Sequence, residues 1–426
     1  MTGAQDRSFP LEPEQSCLEC HQELATAPHI HAAAAEGRDC ATICHQPSQP
    51  GLHDFTPLPA DLGPLCASCH EPFAGGQALH FPVAAGQCAS CHDPHQSRHS
   101  MFLRQPEAKL CAECHPPFTG RKPTHKPVAE GRCSSCHQPH RAEAAKLLLA
   151  PAPELCFQCH TPFSDEGSRH GPAASGHCST CHLPHQAEVA GLLVEPQKDL
   201  CLKCHGSALA TGNFIHGPVE KGNCAGCHDP HAAPQPTLLR ATQPELCFLC
   251  HDRRLNNAQG RPLSAIKALF EDEESLPHQP FADGRCTDCH QHHAGEYASL
   301  LNGLYPAGFY AAYDEAAYAF CFQCHDPGAF ANLFTRRETQ FRNGELNLHF
   351  RHVNRAKGRT CSSCHSPHSS RQPHLVRPVF VFGTVGLGQL FTKTDTGGSC
   401  ATACHLEVGY DRVEPVNNRL RTTPWE

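Results

Sequence analysis

Methionine is nearly missing from this chain of 426 residues: Met1 and Met101 are the only two. A metal centre that recurs along the sequence therefore cannot depend on thioether ligands. Positive charge is also in deficit, with 34 Lys and Arg against 42 Asp and Glu, a formal charge of −8. Binding to nucleic-acid phosphates needs the opposite balance, so nucleic acid is a poor partner class. The apolar stretch 375–392 (LVRPVFVFGTVGLGQLFT) is broken by Arg377 and Pro378 and is no transmembrane helix. The opening MTGAQDRSFP lacks the apolar core of a secretory signal. No cysteine is spare, so none is left for a lipid anchor.

What the chain has instead is 30 cysteines and 35 histidines, arranged in fifteen motifs. Thirteen read C-x-x-C-H. They are Cys17, Cys20 and His21; Cys66, Cys69 and His70; Cys88, Cys91 and His92; Cys111, Cys114 and His115; Cys133, Cys136 and His137. They continue as Cys156, Cys159 and His160; Cys178, Cys181 and His182; Cys201, Cys204 and His205; Cys224, Cys227 and His228. The last four are Cys247, Cys250 and His251; Cys286, Cys289 and His290; Cys321, Cys324 and His325; Cys361, Cys364 and His365. Two motifs read C-x-x-x-C-H: Cys40, Cys44 and His45, and Cys400, Cys404 and His405. The motif is the attachment site of a c-type haem, with two thiols for the vinyl groups and a histidine to lie under the iron. Zinc fits poorly, because a tetrahedral site takes four ligands and an odd number of motifs cannot pair off. A disulfide scaffold gives no reason for histidine after every second cysteine. About fifteen covalent haems are expected, with the histidine of each motif as proximal ligand.

Twenty histidines lie outside the motifs. Haem iron has two axial positions, and imidazole suits it. With spare histidine in surplus and methionine nearly absent, the irons are expected to be bis-histidine and of low potential. The motifs beginning at Cys66, Cys111, Cys156 and Cys201 are 45 residues apart, and Cys247 follows after 46. Each of these repeats holds a second motif with a spacer histidine eight residues before it, and in the first four the second motif runs on as C-H-x-P-H, as at Asp93-Pro94-His95. Two haems and two spare histidines per repeat is the stoichiometry that bis-histidine ligation demands.

Seven motif pairs supply fourteen distal candidates: His31, His53, His80, His95, His125, His140, His170, His185, His216, His231, His278, His293, His352 and His368. The spacer histidine is expected to fold back over its own second motif, and the tail histidine to serve the first haem of the same repeat. His374 is nearest in sequence to the fifteenth motif and is expected to close it, with His349 as second choice and His29 or His99 more remote.

These paired motifs and tails resemble the multihaem cytochromes c with a doubled C-x-x-C-H motif, within the cytochrome c3-like group. The ending Gly397-Gly398-Ser399-Cys400-Ala401-Thr402-Ala403-Cys404-His405 also looks like the close of such proteins. The resemblance, over roughly residues 17 to 405, implies covalent haem, electron transfer and a place outside the cytoplasmic membrane. A periplasmic or extracellular protein with a signal upstream of this numbering is the resulting expectation.

With about 28 residues per haem, the porphyrins must form the core. The expected fold is irregular and haem-cored, with short α-helices and loops, very little β-structure and repeats of about 45 residues. Four regions follow: a capping dihaem unit (1–65), four regular repeats (66–246), a dihaem unit with insertions (247–320) and a three-motif end (321–426) with a hairpin in 375–392. Leucine before the first cysteine (Leu65, Leu110, Leu155, Leu200, Leu246) reads as a haem-face contact. Residues 263–276 have helical spacing. The run Glu271–Glu274 reads as a solvated face, or as a dock for a basic partner. Five tyrosines in 296–320 read as haem packing or a partner surface. Ionised propionates take the ferric protein to about −23.

Two functions remain. One is an electron carrier between redox partner proteins: other cytochromes, a quinol-linked donor, an outer-membrane conduit or a terminal reductase. The other is a multihaem reductase with one open iron, acting on a nitrogen or sulfur oxyanion. The closed ligand supply, and the absence of any residue cluster outside the motifs that looks catalytic, favour the carrier. A free shuttle, a pore-embedded conduit and a filament all fit the sequence.

Overall fold

The computed structural model describes Pro10 and residues 15–35, 37, 40–73, 75, 78–118, 120, 122–164, 166–257, 260, 262–306 and 308–418. The fold is irregular, with short helical turns and loops. Its longest helix among the described residues, Gln197–His205, has nine residues. Two compact units are present: Met1–Phe163 with Gly171–Glu195, and Ser164–His170 with Pro196–Glu426.

The local logic of a repeat can be read from its punctuation. First motifs ride on short helices such as Glu107–Ala112 and Glu245–His251, each entered from a proline whose missing N–H loses no hydrogen bond there. The spacer histidine is followed by proline two residues later. His80, His125, His216 and His278 sit at the start of a single helical turn with Pro82, Pro127, Pro218 and Pro280 inside it. A left-handed glycine ends the turn, at φ +62° for Gly86 and +71° for Gly131. A Cβ on Gly131 would lie 2.7 Å from the Ala108 methyl, so glycine lets this turn pack against the first-motif helix. The second motif follows in a tight 3-10 turn, as at Cys88–Ser90 and Cys133–Ser135.

Repeats are joined by two-residue strand pairs. His29–Ile30 pairs with Gln96–Ser97, Ala78–Leu79 with Arg141–Ala142, and Ser168–Arg169 with Ala232–Ala233. Phe214–Ile215 pairs with Ala294–Gly295, and Leu276–Pro277 with Ser369–Ser370. In each of these the strand before a spacer turn of one repeat meets the strand after the tail histidine of the next repeat's second motif. Each such repeat therefore leans on its sequence neighbour, as in other repeat arrays.

The chain ends differently. Strands Val379–Phe382, Val385–Lys393, Gly397–Thr402 and His405–Asp411 form an antiparallel meander in sequence order. The first two are the expected hairpin. The last two are part of the little β-structure expected, and they carry a motif: Cys400 is on a strand and Cys404 in the turn that follows. Alternating β-branched and aromatic residues, separated by glycine, favour the pleat here. Val376, Phe391 and Tyr410 form a small core with Phe341, Leu348 and Cys400 packed on it.

That core is the exception. Among the described residues only nine hydrophobic side chains are buried, while Phe81, Phe118 and Leu149 stand exposed near motifs. The surface is 28348 Å², against roughly 16,000 Å² for a compact protein of this mass. Exposed apolar side chains near the motifs fit a protein whose porphyrins are its interior.

Two other stretches carry contacts that the sequence pattern does not show. Within 263–276 only Ile266–Phe270 is helical. The acidic run meets an intrachain partner, since Arg371 bonds Asp272 at 3.1 Å and Glu274 at 2.9 Å. The Ser275 hydroxyl and Arg371 hold the Asp272 carboxyl below the usual range. The tyrosines pack mainly on one another: Tyr318 is 1% exposed and stacks on Tyr313, and Tyr305 accepts the Ser362 N–H at 2.7 Å.

Candidate haem-binding site

None of the thirty cysteines is in a disulfide. Among the described residues no group of three or more His, Cys, Asp or Glu side chains is arranged to hold a metal ion by itself. The thiols are instead ordered in pairs along the chain. The first cysteines of two motifs within a repeat are in hydrogen-bonding reach: Cys17 with Cys40, Cys66 with Cys88, Cys111 with Cys133, Cys156 with Cys178, Cys247 with Cys286, and Cys321 with Cys361. Burial and the neighbouring thiol push Cys66 and Cys111 up to about 11. Between repeats the second cysteines approach, so that Cys91 feels Cys114, Cys136 feels Cys159, Cys227 feels Cys250, Cys289 feels Cys324 and Cys364 feels Cys404. At the start of the chain Cys44, the second cysteine of its longer motif, reaches the first cysteine Cys66 of the following repeat, as Cys91 reaches Cys111, Cys136 reaches Cys156 and Cys227 reaches Cys247. The second cysteines differ in exposure: Cys20, Cys69 and Cys204 are open to solvent, whereas Cys44 and Cys181 are half-buried. Within each unit the attachment points follow one another in sequence order.

Opposite the motif histidines lie the spare ones. Two imidazoles on one iron, with metal–nitrogen bonds of about 2.0–2.1 Å, place their ring centroids roughly 6.2 Å apart. Spacer histidines meet this spacing with the first motif of the following repeat: His80 and His115 are 6.1 Å apart, His125 and His160 6.0 Å, His170 and His205 5.9 Å, His216 and His251 6.2 Å, and His278 and His325 6.1 Å. Tail histidines meet it with the second motif of the preceding repeat. His45 and His95 are 6.0 Å apart, His92 and His140 5.8 Å, His137 and His185 5.9 Å, His228 and His293 6.0 Å, and His290 and His368 6.2 Å. The rings in all ten pairs lie within 25° of parallel. At the start of the chain His31 faces His70, and His21 faces His53 within its own repeat. The expected pairing within a repeat is thus replaced by exchange between repeats. The reason is the strand pairing: the N–H of His80 donates to the carbonyl of His140, and His125, His170, His216 and His278 do the same with the next tail histidine.

Many of these pairs also have an imidazole whose second nitrogen is tied down. Nδ1 of His80 meets the Pro139 carbonyl at 2.8 Å, and His170 and His216 meet those of Pro230 and His292. In second motifs the proximal histidine is tied instead, to the carbonyl nine residues on. His92 meets Met101, His137 Lys146, His182 Gly191, His228 Thr237, His290 Ser299 and His365 His374, at 2.7–3.0 Å. These carbonyls come from turns with positive φ, a conformation that costs ordinary residues roughly 1–2 kcal/mol each. The turn leaves its own signal in the sequence, because the residue two beyond each carbonyl is Leu103, Leu148, Leu193, Leu239 or Leu301, with Val376 in the last.

This turn also decides the place of His374. Its carbonyl holds His365, its φ is +56°, and its ring packs on Phe391. His349 and His352 lie instead on the helix Leu348–Val353. Burial first, then the positive charge of His365, hold His349 down at about 3. His352 is also kept neutral by burial and feels His405. Both have Nδ1 occupied, by the Thr339 hydroxyl at 3.0 Å and the Leu348 carbonyl at 2.6 Å, which leaves Nε2 for a metal. Burial likewise holds His368 down at about 4. Neutral imidazole is the form that binds iron. His231 gives its carbonyl to His170 and lies 3.9 Å from Asp229. Of the unused histidines, His292 packs on His293.

One further signal is legible in the sequence but lies just outside the motif. First motifs at His70 and His115 continue as C-H-x-P-F, and Phe73 and Phe118 stack on His140 and His185 at 4.4 and 4.7 Å.

The sequence pattern of the doubled CXXCH motif matches residues 80–120, 125–165, 170–210, 216–255 and 278–330, half of the chain. Every matched segment opens on a spacer histidine and closes beyond the first motif that this histidine faces. Comparison with curated proteins returns no match. Among the described residues no helix is long and apolar enough to cross a membrane.

Proposed function

Because the chain belongs to the doubled CXXCH motif family of multihaem c-type cytochromes, we propose that it carries electrons along about fifteen bis-histidine haems between redox partner proteins outside the cytoplasm. The observation that carries this reading is the recurrence of near-parallel imidazole pairs at one-iron spacing. Haem, when bound, supplies the one-electron ferric–ferrous couple. The chain's own residues do the rest. Thioether attachment at thirty cysteines would fix its position, and the paired histidines would hold the iron from both sides, which would leave no place for a substrate. His352 serves the haem of the Cys400 motif, and His349 that of the Cys361 motif. The carbonyls that tie Nδ1 orient each imidazole and strengthen it as a donor, which favours the ferric state and keeps potentials low. Sequence-ordered attachment points set neighbouring haems side by side, the condition for transfer along the chain.

The test is a haem count by mass together with ferric spin state. About fifteen haems, all low-spin and indifferent to cyanide, are expected. About half that number, or one ligand-accepting high-spin haem in the unmodified protein, would defeat the carrier reading and favour a reductase.

A further inference from the structure

The charge of the chain is unevenly distributed. Residues 1–329 carry 35 acidic and 21 basic side chains, whereas residues 330–418 carry six acidic and eleven basic. The excess gathers on the elements that hold His349 and His352. Arg351 lies on their helix, and Arg355 and Lys357 lie in the loop that leaves it. That loop is closed on itself, since Gly358 N–H bonds the Arg355 carbonyl at 2.8 Å and Arg359 N–H bonds the His352 carbonyl at 3.0 Å. Beside the helix start runs the segment 332–337, tied there by the Asn347 N–H to the Leu333 carbonyl at 2.9 Å. It presents Arg337 and Phe334, the latter 64% exposed. Among the described residues Arg337, Arg351, Arg355 and Lys357 are exposed and make no ion pair, while Glu345 is taken by Arg336.

We propose that this surface is the port at which the chain exchanges electrons with an acidic redox protein. The proposal rests on the electron-transfer reading above. Three physical features select that partner. An exposed aromatic with arginine on its own segment and on the helix tied beside it has the composition of a protein–protein contact centre. Guanidinium groups engage carboxylates two bonds at a time, which fixes an orientation as well as attracting the partner. The backbone that carries these cations also carries the distal ligands of the last two haems, so a docked partner is near them. On a molecule whose net charge is negative, unpaired local cations also steer an acidic partner to this place and away from the rest.

The test uses the full haem-loaded protein on gold electrodes coated with a carboxylate-terminated or an amine-terminated monolayer, at low salt. A net acidic protein gives a film on carboxylate only through a local basic surface. The parent is expected to give a salt-sensitive signal there. The triple variant R351E/R355E/K357E should lose at least about tenfold of it, with both proteins equal on the amine surface. The neutral variant R351Q/R355Q/K357Q should fall between, which guards against misfolding of the charge-reversed chain. If parent and variants match on carboxylate, or the parent gives no film there, the port is wrong while the carrier reading stands. Silence on both surfaces sinks the carrier reading itself. Parent binding to phosphatidylserine vesicles through these residues would make a membrane the occupant and also overturn the proposal.

Discussion

Replacement of His140 by alanine separates exchange between repeats from closure within one. The His140 ring lies 5.8 Å from His92, in the preceding repeat, and 25° from parallel with it. Its own repeat begins at His115, whose partner ring is that of His80. The substitution removes one axial ligand of about fifteen haems, so roughly one fifteenth of the ferric iron should become high-spin and bind added imidazole. It also removes the stacking of His140 on Phe73 at 4.4 Å, worth about 0.5–1.5 kcal/mol, too little to unfold the region. The backbone bond from His80 to residue 140 does not involve the side chain and stays. The haem affected is found by removing attachment cysteines in the H140A background. With C88S/C91S the high-spin signal of ferric electron paramagnetic resonance should vanish, and with C111S/C114S it should persist. The opposite result would show that each repeat supplies its own ligands and would refute the exchange.

Three further outcomes follow from the same geometry. Deletion of residues 111–155, one 45-residue repeat, brings His80 to His160 and His92 to His185. About thirteen haems, all low-spin, are expected by mass and spectroscopy, whereas loss of a half repeat should leave open irons. Asn347 is fully buried, accepts the Phe350 N–H and donates to the Ala329 and Asn332 carbonyls. Asn347→Ala should cost about 3 kcal/mol and loosen His349 and His352 first, seen as high-spin iron early in a thermal melt. Thr237 holds φ +54° while presenting its carbonyl to His228. Thr237→Gly keeps that carbonyl and should raise the melting midpoint, by about 0.5–1 kcal/mol in stability, with the haem spectrum unchanged.

Particular residues show how far the sequence can be read. The thirty cysteines and fifteen histidines of the motifs are legible because the chemistry of attachment is local: five or six consecutive residues contain the whole requirement. The short helices, the glycine stops and the terminal hairpin are legible for the same reason. Charge on the acidic run 271–274 is equally plain, but its partner Arg371 lies about a hundred residues away and no local pattern points to it.

Composition and spacing by themselves determined the fifteen motifs, the irregular fold of short helices and repeats, and which histidines are spare. Only tertiary structure decided which spare histidine faces which motif. Spacing counted along the chain makes His80 a neighbour of Cys88, yet the strand Ala78–Leu79 pairs with Arg141–Ala142 and turns the ring toward His115. His374 is the nearest spare histidine to Cys400 by count, but a left-handed turn takes its carbonyl to His365, and its ring packs on Phe391. The physical reason is common to both. A covalent motif is fixed by adjacent atoms, whereas a distal ligand is fixed by backbone pairing between segments, and the free energy of that pairing does not depend on how far apart the segments lie in sequence beyond a slowly growing loop cost.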